Sequence, residues 1–306
     1  MSFSKCLFIA AASVAMTGVA FADDPPADPP AGGDAGTPPP PDGSVAAPPA
    51  AATGGLPALT NAKGKILVTG STATINLSTD AVGKPISLAP AVYYGISDKL
   101  TVGLTHDGGN TMWNPRPAFR TITIVEPITG TAVTAAAGAG ICLTGEENGC
   151  NKLYDNVGAD ALFSLAAGKF SAAAHGGIDV FSIDEGTLAL RAGLLGRYEL
   201  APKMALTFDP RIVIPLTDRD FLGESIDVPV HFWYMANDKL GVYGSTGIAG
   251  AFDGFGDTFT VPLGAGAMYK LNEQMGVGGN FFFLNLLGNE GGTDARALGL
   301  NFLWHN

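Results

Sequence analysis

The side chains able to do chemistry in this chain are few, and most recur at every second position of long alternating segments. By parity, Asp160, His175, Asp179, Arg191, Arg197, Glu199, Asp209, Arg211, Asp227, His231 and Lys270 share the face opposite the bulky apolar residues. Arg and Asp on facing walls can focus a field across a constriction and tune ion selectivity. The plainer role is mutual pairing, which fills an interior and stabilises its wall. Hydrolysis would need a His beside a carboxylate and a nucleophile. His231 and Asp227 share a face, but four residues along a strand is too far for a direct hydrogen bond. His175 and Asp179 repeat that spacing. His106 and Asp107 are neighbours and so point to opposite faces. Only a His–carboxylate pair across strands is left open, and no G-x-S-x-G motif occurs. The expectation is therefore not an enzyme; all of these inward residues except Glu199, that is Asp160, His175, Asp179, Arg191, Arg197, Asp209, Arg211, Asp227, His231 and Lys270, are lumen and selectivity candidates.

Metal and cofactor chemistry is equally thin. Asp253-Gly254-Phe255-Gly256-Asp257 lacks the twelve-residue ligand spacing of an EF-hand. No nucleotide, haem or zinc motif is present, so no cofactor is expected. Cys142 and Cys150 form an even pair in a chain read as exported, which predicts a disulfide closing a short loop.

The elements that position these residues are strands. In Thr187 to Leu200, Leu188, Leu190, Leu194, Tyr198 and Leu200 occupy one face, and Arg191, Arg197 and Glu199 the other. That is period-two alternation. It recurs in segments near 65–77, 86–97, 99–107, 153–166, 169–182, 187–200, 203–216, 225–236, 239–251, 258–270, 275–286 and 295–305. The first alternates poorly, so the expectation is about twelve strands within a range of about ten to fourteen. Segments of about ten residues are long enough for a tilted strand to cross a bilayer. Tyr94, Tyr198, Tyr234, Tyr269 and Trp304 sit on the apolar face near strand ends, as an interfacial girdle would. Short turns recur at Ser97-Asp98-Lys99, Gly168-Lys169, Pro202-Lys203, Asn237-Asp238-Lys239 and Asn272-Glu273-Gln274. The other connections are longer, above all residues 107–152, which read as a constriction loop, a surface-binding loop or a variable loop with room for two short strands.

The remainder of the chain is of a different kind. Lys5 and an apolar run to Ala20, ending in Ala20-Phe21-Ala22, read as a signal peptide over residues 1–22. Residues 23–62 are rich in Pro and Ala and read as a disordered periplasmic linker. Bilayer-crossing strands cannot leave an open sheet edge in lipid, so a closed β-barrel is expected over 63–306. A net charge of −11 argues against nucleic acid as a partner. The chain is 46% hydrophobic and only 15% charged, with its apolar residues spread evenly instead of gathered into core segments.

The alternating segments, the girdle and the short-turn rim resemble a bacterial outer-membrane β-barrel protein of the porin-like class. The closing Leu298-Gly-Leu-Asn-Phe302-Leu-Trp304-His-Asn306 resembles the last strand read by the barrel-assembly machinery, although two residues follow Trp304. The resemblance implies an all-β, transmembrane, antiparallel up-and-down barrel in the outer membrane, with membrane lipid, the assembly machinery and small solutes or ions as partners. The function expected is a passive channel or small-solute transporter. The alternatives are a closed structural or surface-binding barrel, and a membrane-embedded hydrolase.

Overall fold

The computed structural model describes residues 58–306 apart from 80–81, 84–85, 107–120, 126–131, 137–140, 145–156, 183–185, 218, 220–222 and 289–290. The expected signal peptide, most of the linker and Cys150 lie outside the described residues. In chain order the strands are β1 (Ile66–Asn76), β2 (Ile86–Ser97), β3 (Leu100–Thr105), β4 (Thr121–Val125), β5 (Ala132–Ala136), β6 (Ile141–Thr144), β7 (Val157–Ala166) and β8 (Phe170–Ser182). They continue as β9 (Thr187–Ala201), β10 (Met204–Phe208), β11 (Arg211–Pro215), β12 (Ser225–Met235), β13 (Leu240–Ala251), β14 (Leu263–Lys270), β15 (Met275–Phe283) and β16 (Arg296–His305). One short helix, α1 (Phe255–Thr258), lies in the connection between β13 and β14.

All strands but β4 and β5 belong to one sheet of 14 segments. β10 and β11 are two halves of one wall strand, both lying between β9 and β12. β6 is a short strip beside the outer half of β2. The remaining count is a closed, antiparallel barrel of 12 strands. Closure is made by β1, which pairs with β2 on one side and β16 on the other. The poorly alternating first segment is thus a full wall strand.

The seam is clamped at both ends by side chains. At the short-turn end the Ile66 N–H donates to Asn306 Oδ1 at 2.8 Å. At the other end Arg296 Nε donates to the Leu77 carbonyl at 2.9 Å, and the Thr79 N–H and hydroxyl both donate to Asp294 Oδ1. These two bonds, the hydroxyl's first, hold the Asp294 carboxyl below its ordinary value of 3.8. The short turns are fixed locally in the same manner. Asn237 Oδ1 accepts from the N–H groups of Lys239 and Leu240, and Asn272 Oδ1 from that of Gln274. An Asx side chain that satisfies the turn's own donors reverses the chain in few residues.

Period-two alternation sorts the side chains between the two faces of the wall. Val92, Phe163, Ile178, Leu190, Phe232, Phe281 and Leu300 are large, apolar and exposed on the outer face. An apolar belt around a whole barrel is adverse in water and suited to acyl chains. Tyr94, Tyr198, Tyr234 and Tyr269 stand on that outer face towards the short-turn end.

The wall departs from simple alternation between β10 and β11. The expected continuous strand over 203–216 breaks at Asp209-Pro210. Pro210 has no N–H to give the ladder, and its partner strand carries Pro229 close by. The Asp209 N–H donates to the Pro229 carbonyl at 3.1 Å, and Leu194 N–H to the Pro210 carbonyl at 3.0 Å, so both neighbours stay attached through the break.

Two outcomes follow. Leu300→Arg, at the middle of β16 on the outer face, should destabilise the barrel in lipid vesicles by about 2–4 kcal/mol, measured by denaturant unfolding. Because Asp294 is depressed by its Thr79 bonds, the clamp contributes fully above the ordinary carboxylate value and is lost as pH falls through the lower folded value. An NMR titration in micelles should place the Asp294 midpoint below 3.8, with the Thr79 amide resonance following it and unresponsive in Asp294→Ala.

Candidate functional site: the lumen

The inward face of the barrel carries two layers of different chemistry. The first is a charged arc on neighbouring strands. His175 on β8 places Nε2 2.6 Å from Asp209 Oδ1, and its Nδ1 lies 3.9 Å from Asp160 Oδ1 on β7. Arg211 on β11 places Nη1 3.7 Å from the other Asp209 oxygen, and donates through Nε and Nη2 to Asp227 Oδ2 on β12 at 2.9 and 2.7 Å. The chain of contacts Asp160–His175–Asp209–Arg211–Asp227 therefore spans the wall from β7 to β12. Beside it Arg191 Nη2 lies 3.6 Å from Asp179 Oδ1, and Arg197 Nη2 donates to Ser171 Oγ at 3.3 Å.

The break in the wall strand and one glycine make the His175–Asp209 contact possible. The two residues are not on adjacent strands, because β9 runs between them. Gly193 of β9 is opposite both His175 and Arg211. A Cβ on Gly193 would fall 2.4 Å from His175 Nε2 and 2.9 Å from Arg211 Cβ. Bare backbone at that position lets the imidazole lie over β9 and reach the Asp209 carboxylate. Both ring nitrogens of His175 thus face carboxylates. The cross-strand His–Asp pair left open by the spacing exists, but as part of an ion-pair chain.

The arc occupies one side of the barrel. Among the described inward-facing residues of β13–β16 and β1–β3 there is no carboxylate or guanidinium. That wall presents Ser245, Asn280, Asn301, Thr69 and Thr101 between glycines. Lys270 has the inward parity but stands at the short-turn rim, where Nζ lies 2.8 Å from Glu273 Oε2 in the turn. It is separate from the arc. His231 is buried on the inner face beside the arc, with its ring edge-on to Tyr243 at 6.2 Å. His106 closes the outer end of β3, where Nδ1 and the Pro90 carbonyl are 2.6 Å apart, so that nitrogen carries the proton.

The second layer is apolar, and the polar residues alone carry no sign of it. Leu67, Tyr93, Leu162, Leu195, Trp233, Tyr243, Met268, Phe282 and Leu303 all face inward and form one cluster. Trp233 and Leu303 are 0% exposed and Leu195 1%, so the cluster is tightly packed against the inner wall. Trp233 packs on Tyr243 with ring centroids 4.4 Å apart. Tyr243 in turn lies over Gly266 of the next strand, where a Cβ would fall 2.3 Å from its hydroxyl. The sequence does hold a signal for this layer. Tyr93-Tyr94, Leu162-Phe163, Leu194-Leu195, Phe232-Trp233, Met268-Tyr269, Phe281-Phe282 and Phe302-Leu303 are consecutive bulky pairs, and in a strand one member of each must point inward.

Two further segments enter the interior. The β4–β5 hairpin is a separate two-stranded sheet. Its backbone approaches β1, β2 and β16 on one side and β10 and β12 on the opposite wall. This is the pair of short strands that residues 107–152 had room for. Cys142 is in β6, and the expected Cys142–Cys150 disulfide lies outside the described residues. The second segment is Leu59–Ala62, which the composition assigned to the linker. Leu59 is buried in the apolar cluster, and Thr60 and Asn61 bond to the inner wall.

Arg211 balances two buried carboxylates, so its loss removes a cationic partner from both. Arg211→Met should destabilise the folded barrel by about 3–5 kcal/mol. Asp227→Asn should also destabilise, and the double variant should lose less than the two single losses together, as a double-mutant cycle of unfolding free energies would show.

No protein-family model matches this sequence, and no curated protein matches it significantly. Solved structures similar to it include the KdgM porin, at 6% identity and a TM-score of 0.47 over 78% of this chain and 98% of that one. The NanC porin is similar at 6% identity and a TM-score of 0.48, covering 78% and 97%. The COG4313 outer membrane channel from Pseudomonas putida F1 is similar at 12% identity and a TM-score of 0.45, covering 82% and 98%.

Proposed function

We propose that this protein is an outer-membrane channel that passes small solutes or ions along its charged arc. The observation that carries the reading is the arc itself. Buried ion pairs add little to stability compared with apolar packing of the same volume. A barrel kept only as a scaffold gains nothing from four Asp and three Arg turned to one side of its interior. A channel does, because charges on one wall facing neutral Asn, Ser and Gly create a transverse field that sorts solutes by charge. The β4–β5 hairpin supports the reading, since an element lying between opposite walls can form a constriction in a lumen. The lumen candidates then act as the lining, with Arg191, Arg197 and Arg211 set against Asp160, Asp179, Asp209 and Asp227. The N-terminal linker faces the periplasm, on the side of the short turns.

A second reading rests on the apolar layer, which favours a closed barrel with a structural or surface-binding role. Single-channel recording from the refolded protein in planar bilayers separates the two. The expected result is repeated conductance steps, with ion selectivity displaced by Arg211→Ala and larger steps once residues 121–136 are removed. Silence from a folded, heat-modifiable barrel, with the hairpin present or removed and with Leu59 replaced by Gly, would establish the closed barrel instead.

A further inference from the structure

Leu59–Ala62 is attached to the inner wall by a series of specific bonds. The Thr60 hydroxyl donates to the Asp98 carbonyl at 2.9 Å, and the Asn61 N–H to Thr101 Oγ1 at 2.8 Å. The Asn61 amide donates to the Tyr93 carbonyl at 3.4 Å, and the Lys63 N–H to Asp98 Oδ1 at 2.9 Å. Gly95 of β2 is the floor beneath them, since a Cβ there would fall 2.1 Å from the Ala62 carbonyl oxygen. Gly64, at φ 76, then turns the chain out of the lumen and into β1. A non-glycine residue adopts that left-handed conformation only with strain.

We infer that Leu59–Ala62 is a built-in plug that shuts the lumen at its short-turn end and opens by leaving the inner wall. The inference rests on the channel reading and names how that channel is held closed. The wall supplies the apolar layer from strands that cannot move without breaking the barrel ladder. Leu59 is the member of the cluster that does not belong to the wall. It is held by one leucine side chain and a few hydrogen bonds, all to β2, β3 and the turn between them. Releasing such a segment costs far less than opening any wall strand. Its position just before the first strand also couples it to the Pro-rich segment, so that a pull on that segment from the periplasm would draw Leu59 out of the cluster.

The test places a single cysteine at Ala91, which is 3% exposed in the same cluster, with Cys6, Cys142 and Cys150 replaced by Ser. A membrane-impermeant maleimide should label it slowly in the otherwise intact protein, and about tenfold faster or more after Leu59→Gly. The same Leu59→Gly substitution should raise the fraction of time the channel conducts. A disulfide between Asn61→Cys and Thr101→Cys, in a chain lacking the other cysteines, should suppress conduction until reduced. Equal labelling with Leu and Gly at position 59 would overturn the plug and leave the channel reading standing. Faster labelling without current in any variant would establish the movable segment and sink the channel reading instead.

Discussion

Every feature of this protein follows from the need to give each backbone N–H and C=O a partner without help from water. In the hydrocarbon of a bilayer an open sheet edge is excluded, so the first strand must meet the last. β1 does this by pairing along both of its edges, and Asn306, Arg296 and Asp294 extend the seam with side-chain bonds at either end. Once the sheet is closed, strand alternation leaves no freedom over which residues face lipid. The exposed belt of Val, Leu, Ile and Phe and the sorted interior are two consequences of one register.

Closure also creates an interior that must be filled or used. The chain does both, at different levels. Near the short turns, large apolar side chains lie across glycines on neighbouring strands, as Tyr243 does over Gly266. One arc of the wall carries paired charges, while the inward residues of the opposite wall include no carboxylate or guanidinium among the described residues. The same device, a bulky group lying over a bare strand, serves both layers. Gly193 gives His175 the reach to Asp209 that Gly266 gives Tyr243 over the next strand. Pro210 adds to it by interrupting the wall where Asp209 must turn inward.

Leu59–Ala62 is held by fewer bonds than the strands that form the wall. The β4–β5 hairpin is bonded to itself, and Leu59–Ala62 is bonded to only two strands and one turn. Wall strands share ladders on both sides and open only with the whole barrel.

The sequence by itself determined the wall. Its strands fall within a few residues of the alternating segments, because a two-residue period over about ten residues admits one face for lipid and one for the interior. It also determined which charges turn inward, since parity alone places Asp160, His175, Asp179, Arg191, Arg197, Asp209, Arg211, Asp227 and His231. What parity cannot give is the pairing among them, which depends on stagger between strands and on a glycine of the strand that runs between the partners. The His175–Asp209 contact, the rim position of Lys270 and the break at Pro210 were therefore decided only in three dimensions. So was the plug. Leu59 sits in a stretch whose composition reads as linker, and nothing in Leu59-Thr60-Asn61-Ala62 marks it as part of a core. Its burial depends on an apolar layer assembled from strands distant in the chain, which exists only after the barrel has closed.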